Sequence, residues 1–118
     1  MQDKSEENWK VGLQCLKEGN LNAAANRLYY GMFQAVLLYA RKITGYEKTD
    51  RTVHGDMCDI VKNLGTASYK YGKVYRKLWS LRDIADYQDD PPDRRGIENL
   101  LSDCEKIRQN YLKKASAS

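Results

Sequence analysis

Apolar residues in this chain recur at intervals of three and four, which is the spacing of one face of an α-helix. The longest such run covers more than six turns, and its apolar positions are Leu21, Ala24, Ala25, Leu28, Met32, Ala35, Val36, Tyr39 and Ile43. A second apolar row, formed by Tyr29, Phe33 and Leu37, widens this stripe. A helix this apolar lies either at the centre of a bundle or against a second subunit.

Two shorter segments before and after this helix show the same periodicity. The first helix is predicted over roughly residues 4–18 and ends at Gly19-Asn20, where Asn20 can cap the next helix. Its inward positions are Trp9, Leu13 and Leu16.

A short third helix is predicted with Thr52 as its N-cap and Gly65 at its end. Its inward positions are His54, Met57, Val61 and Leu64.

The C-terminal half predicts two further helices. The fourth runs from about residue 69 to 88, because Pro91 and Pro92 cannot continue it. Its core positions are Tyr71, Val74, Leu78, Leu81 and Ala85. Asp93 is predicted to cap the fifth helix, which is expected to fray from Lys113 onward. Its inward positions are Ile97, Leu100, Leu101, Cys104, Ile107 and Tyr111.

No strand pattern or repeat competes with these helices, so the sequence predicts an all-α fold. Four or five antiparallel helices joined by short loops form an up-and-down bundle. The length of 118 residues fits one domain, residues 1–118, with a core of about 6–112.

Composition narrows the functional classes. No apolar run approaches the roughly 18 residues of a membrane span, and the first residues lack the apolar stretch of a signal peptide. Three widely spaced cysteines exclude a disulfide scaffold and fit a reducing cytoplasm. A single histidine and the absence of phosphate-binding glycine loops predict no metal site and no cofactor.

Charge adds a mild preference for acidic partners, because the net charge is +4. Lys70, Lys73 and Lys77 share one face of the fourth helix, where they could follow phosphates while neighbouring tyrosines stack on bases. The competing interpretation is an ordinary solvated face. On composition alone, Arg82 forms a routine helical pair with Asp86, and Arg27 is a buried arginine held by tyrosine hydroxyls.

Three segments together resemble HEPN-domain proteins. Residues 24–35 (AANRLYYGMFQA) resemble the A-x-R-x-Y-Y-A-x-F-H-A helix of that family. Residues 48–55 (KTDRTVHG) resemble the K-T-H-S-G segment that follows it, and residues 81–87 (LRDIADY) resemble the L-R-x-x-A-D-Y element. Their order and spacing also fit.

The resemblance implies a helical bundle that forms a homodimer. Many HEPN members are encoded beside a minimal nucleotidyltransferase, and several act as toxin–antitoxin pairs. Catalytic members are metal-independent endoribonucleases, in which an arginine is followed after four to six residues by a histidine. Arg82 matches the arginine, whereas Tyr87, Gln88 and Asp89 occupy the histidine positions, and Gln34 replaces the histidine of the second helix.

The resemblance therefore favours a non-catalytic HEPN module that acts with a nucleotidyltransferase partner. Nucleotide or RNA phosphate would bind in a cleft lined by Arg27, Tyr30 and Arg82, with Lys73 and Lys77 as further contacts. One alternative is a ribonuclease toxin that uses Arg82 with His54 or Tyr87. The other is a helical homodimer with a scaffold role.

Overall fold

The computed structural model describes residues 2–64, 69–87 and 92–116, without the side chains of 84–87. Several predictions fall outside this part of the chain. They are the end of the third helix at Gly65, the core position of Ala85, the Arg82–Asp86 pair and the side chain of Tyr87.

Five α-helices account for the regular structure of the described residues, which confirms the all-α bundle. They are α1 (Gln2–Lys17), α2 (Leu21–Ile43), α3 (Val53–Val61), α4 (Lys70–Tyr87) and α5 (Arg94–Ser116). Among the described residues, no helix has both the length and the apolar character that crossing a bilayer requires.

Helix α2 lies at the centre of the bundle and packs against each of the other four helices. Its core residues Leu28, Met32 and Val36 have no exposed surface. Most of the apolar stripe of this helix is thus buried within a single chain, but Ile43, which was predicted to belong to it, is 42% exposed at the end of the helix. Of the two arrangements that the stripe allowed, the central position is the one observed.

Helices α1 and α2 are antiparallel and approach closely through small residues. The Ser5 hydroxyl donates a 2.6 Å hydrogen bond to the carbonyl of Gly31, and a Cβ added to Gly12 would lie 2.7 Å from Leu28 Cγ. Leu13 was predicted to face the core, but it is 40% exposed. That prediction was wrong because small residues, rather than a leucine, occupy the α1–α2 contact.

The turn between α1 and α2 has a specific hydrogen-bond pattern. Gly19 adopts φ +82°, and its N–H donates to Leu16 while the N–H of Asn20 donates to Cys15. These two bonds form a Schellman motif, which favours glycine at the left-handed position. The predicted side-chain caps are not formed, because neither Asn20 nor Thr52 caps its helix.

Helix α5 is longer than predicted. It continues to Ser116, and Ala115 within the segment that was expected to fray is only 1% exposed. Burial of this last turn explains why it stays helical. At the other end, the Asp93 carboxylate accepts a hydrogen bond from the backbone N–H of Arg95, as expected of an N-cap.

Candidate functional site

An aromatic cluster fills the space between α2, α3 and α4. Its members are Tyr29, Tyr30, Phe33, His54, Tyr75 and Trp79. The imidazole of His54 stacks on Phe33, with ring centroids 4.4 Å apart, and on Trp79, with centroids 5.9 Å apart. His54 is therefore held between two apolar rings, and its ring plane is fixed by packing.

Three polar groups form a hydrogen-bonded chain inside the aromatic cluster. The Tyr29 hydroxyl lies 2.6 Å from Nδ1 of His54 and 3.1 Å from the Tyr75 hydroxyl. Tyr75 also donates to the backbone carbonyl of His54 over 3.4 Å. Because the Tyr75 proton is used on this carbonyl, the Tyr29 hydroxyl donates to Tyr75 and accepts from Nδ1–H of His54. The neutral imidazole then carries its proton on Nδ1 and a lone pair on Nε2. Within the described residues Nε2 has no hydrogen-bond partner, so this nitrogen is the one that could exchange a proton with a ligand.

Burial controls the protonation of this chain. Desolvation lowers the pKa of His54, and the positive charge of Arg82 lowers it further. Desolvation also raises the pKa of Tyr29 and Tyr75 well above that of an ordinary tyrosine. At neutral pH, therefore, the cluster holds a neutral imidazole and two neutral phenols.

The lowered pKa of His54 predicts a pH-dependent stability. Between the folded-state pKa and the unfolded value of about 6.5, the unfolded chain binds a proton that the folded chain does not. The free energy of unfolding should then fall as the pH drops from 7.5 through this window, and level off for this group below it. Urea unfolding across pH 7.5 to 5 measures the effect. His54→Gln should flatten the pH dependence, and an equal slope in both proteins would contradict the assignment.

Arg82 lies against the edge of the aromatic cluster. Its guanidinium carbon lies 5.6 Å from the ring centroid of Tyr29 and 5.4 Å from that of Tyr30. Nη2 donates to the Tyr30 hydroxyl over 3.3 Å, and Nη1 pairs with the Asp83 carboxylate at 3.2 Å. The side chain is only 14% exposed, so these contacts hold a mostly buried arginine in place.

The structure brings together some predicted site residues and separates others. Arg82, Tyr30 and His54 meet at the aromatic cluster, since both His54 and Arg82 contact the rings of Tyr29 and Tyr30. Their proximity could not be inferred from the sequence, because His54 and Arg82 lie on different helices.

Arg27 lies one turn before Tyr30 on α2, and its side chain bonds to α1. Its Nη1 donates to the Asn8 side chain over 2.9 Å, and the Asn8 amide in turn donates to Gln34 over 2.8 Å. Arg27 is exposed. The interpretation of Arg27 as a buried arginine held by tyrosines was therefore wrong, because α1 supplies its hydrogen-bond partner and Arg82 is the arginine that a tyrosine holds.

Lys73 and Lys77 line a surface between α4 and α5. The side chains of Tyr75 and Trp79 on the same helix pack against Tyr29 of α2. At about 100° per residue, Arg82 is rotated by about 140° from Lys77 and by about 180° from Lys73. The two lysines and Arg82 thus occupy opposite sides of α4.

Neither Trp79 nor the hydrogen bond between the hydroxyls of Tyr29 and Tyr75 was predicted from the sequence. Trp79 lies three residues before Arg82 and four after Tyr75, so all three share one face of α4. That spacing could have revealed the cluster. Within the described part of the chain, no three His, Cys, Asp or Glu side chains are grouped so as to hold a metal ion.

Comparison with protein-family models, with curated proteins and with solved structures finds no match to this chain.

Proposed function

We propose that this chain is a HEPN-type module that binds the phosphate of a nucleotide or RNA at Arg82. The observation that carries the proposal is the position of the Arg82 guanidinium, which lies over two tyrosine rings and donates to the Tyr30 hydroxyl, in a side chain that is 14% exposed. The resemblance of residues 24–35 and 81–87 to HEPN motifs supports the same assignment.

A guanidinium in this setting suits phosphate recognition. Its planar set of N–H donors matches two phosphate oxygens at once, and charge-assisted hydrogen bonds of this type are strong. Because Tyr30 and Asp83 already orient the side chain, binding loses less conformational entropy than it would at a free surface arginine. The hydroxyl of Tyr30 beside it offers a further polar contact.

The proposed partner is a nucleotidyltransferase-type protein in a toxin–antitoxin-like pair, and the module itself is proposed to be a homodimer in the cytoplasm. The partner and the homodimer rest on the HEPN resemblance, and the cytoplasm rests on the three widely spaced cysteines. Since most of the apolar face of α2 is buried within its own chain, the homodimer would use a different surface. Val11 and Leu13 on α1 are 37% and 40% exposed, but they lie on different sides of that helix and form no single apolar face.

Arg82→Lys tests the phosphate site. Lysine keeps the charge but loses the planar fork, so we expect the affinity for a phosphate ligand to fall about tenfold or more. The measurement is fluorescence anisotropy with a labelled 12-nucleotide RNA and with a fluorescent ATP analogue.

The matched control is Arg41→Lys, at an exposed arginine in the last turn of α2. Its affinity should equal that of the wild type. If Arg82→Lys, shown by circular dichroism to be folded, binds both probes as tightly as the wild type, the site is not at Arg82.

A ribonuclease is the second candidate, and it is favoured by the shared contacts of His54 and Arg82 with Tyr29 and Tyr30. A neutral histidine can accept the proton of a ribose 2′-hydroxyl, and a fixed guanidinium can stabilise the charge that develops on the phosphorus centre. The lowered pKa of His54 keeps this base neutral at a more acidic pH than an ordinary histidine.

Incubation of RNA with the protein in EDTA tests this candidate. A ribonuclease of this kind would release 2′,3′-cyclic phosphate ends, and His54→Gln or Arg82→Ala should lower the rate by about 100-fold or more. Tyr87→Phe distinguishes the two proposed bases, because it should leave cleavage unchanged if His54 is the base. Intact RNA after incubation with the wild type would exclude the ribonuclease.

A further inference from the structure

A groove runs along the surface between α4 and α5, away from the aromatic cluster. Two adjoining depressions of about 530 Å³ and about 310 Å³ form it, and they share Lys77, Asn99 and Leu100. The two helices are antiparallel here, since Lys70 pairs with Asp103 while Leu81 lies beside Gly96. From Lys70 to Leu81 the groove is about 16 Å long at 1.5 Å per residue, or about three helical turns.

The floor of the groove is apolar and one of its edges is cationic. Val74, Leu81 and Leu100 are the aliphatic lining residues, and the two leucines remain partly exposed. Lys73 and Lys77 are exposed at the edge, and neither forms an ion pair within the described residues. Lys70 is paired with Asp103 at 3.5 Å, although half of its side chain is still exposed.

This lining does not suit a single-stranded nucleic acid. Proteins that bind such strands stack bases on aromatic rings, but no lining residue of either depression is aromatic. Tyr75, which the sequence placed beside the lysines, has no exposed surface and bonds to Tyr29 instead.

We propose that the α4–α5 groove binds an acidic amphipathic helix of a partner protein. Apolar side chains of that helix would cover the aliphatic floor, and its carboxylates would pair with Lys73 and Lys77. The three lysines of α4 are spaced i, i+3 and i+7, with rises of about 4.5 Å and about 6 Å. A helix that carries Glu or Asp at i, i+4 and i+7 presents carboxylates at matching intervals when it packs antiparallel to α4.

The probe is a fluorescein-labelled 14-residue peptide of Leu, Ala and Glu, with three Glu at i, i+4 and i+7 beside a row of Leu. A scrambled peptide of the same composition and a 12-nucleotide oligouridylate are the comparison probes. Binding to the full chain is followed by fluorescence anisotropy. We expect the ordered peptide to bind at least about tenfold more tightly than the scrambled one, and its affinity to fall with salt.

Charge reversal locates the site. Lys73→Glu/Lys77→Glu should reduce affinity for the ordered peptide at least about tenfold, whereas Lys106→Glu/Lys113→Glu, at two exposed lysines of α5, should have a much smaller effect. The proposal does not depend on the phosphate site, so Arg82→Lys should bind the peptide as the wild type does.

Three results would overturn the proposal. The first is equal binding of the ordered and scrambled peptides, or no binding of either. The second is tighter binding of oligouridylate through Lys73 and Lys77, which would assign the groove to nucleic acid. The third is self-association in sedimentation that Lys73→Glu/Lys77→Glu abolishes, which would assign it to a second copy of this chain.

Discussion

Gly12→Ala is expected to lower the free energy of unfolding by about 2 kcal/mol, although alanine is the better helix former. A Cβ at this position would lie 2.7 Å and 2.8 Å from the Leu28 side chain and 2.9 Å from its backbone nitrogen. The Leu28 side chain could turn away only by leaving a fully buried position, and the backbone contact requires the two helices to separate. Urea unfolding monitored by circular dichroism measures the change.

Gly55→Ala is the matched control, because Gly55 also lies within a helix but has no atom within 4 Å of an added Cβ. Here the higher helix propensity of alanine acts alone and should raise stability by up to about 1 kcal/mol. The same substitution should thus have opposite signs at the two glycines. A stabilising effect at Gly12 would show that α1 and α2 are not packed as closely as described.

Tyr29→Phe is expected to lower the free energy of unfolding by about 1–3 kcal/mol, since it leaves two buried polar groups without their shared partner. The Tyr29 hydroxyl contacts both Nδ1 of His54 and the hydroxyl of Tyr75, whose residue is fully buried. Phenylalanine keeps the ring, so the loss measures the hydroxyl rather than the packing. Chemical unfolding at pH 7.5, where His54 is neutral, is the appropriate measurement.

Tyr39→Phe provides the comparison for this hydroxyl deletion. Tyr39 is partly buried and its ring packs against Tyr111, but its hydroxyl forms no hydrogen bond within the described residues. Its substitution should change stability by less than about 0.5 kcal/mol. If Tyr29→Phe and Tyr39→Phe lower the free energy of unfolding equally, the buried chain of hydroxyl groups does not stabilise the fold.

The helices could be predicted from the sequence because periodic burial is a property of each segment alone. The predicted limits of α2 match the observed helix closely, since its apolar stripe covers more than six turns and Gly45, with φ +74°, follows its end. Helix α1 was less predictable. Its contact face contains Ser5 and Gly12, and hydrophobicity does not identify a face that is buried because its side chains are small.

The candidate site was predictable only in part, because it is assembled from three helices. The sequence identified Arg82, Tyr30 and His54 as candidates, but periodicity within one helix says nothing about which helix faces another. In contrast, the spacing along α4 already indicates that Lys73 and Lys77 lie on the opposite side of that helix from Arg82. The pairing of Arg27 with Asn8 depends on how α1 lies against α2, and no local pattern encodes it.

The central position of α2 also determines how the molecule opens. Because α2 packs against all four other helices, amide protons in its middle should exchange with deuterium only when the whole chain unfolds. Tyr29 and Tyr30 belong to this slowest-exchanging element, whereas Arg82 lies on α4, only five residues before its last helical residue. The tyrosines of the proposed phosphate site thus belong to the helix whose amides are most protected from exchange. A ligand that bridges α2 and α4 would therefore slow amide exchange chiefly in α4.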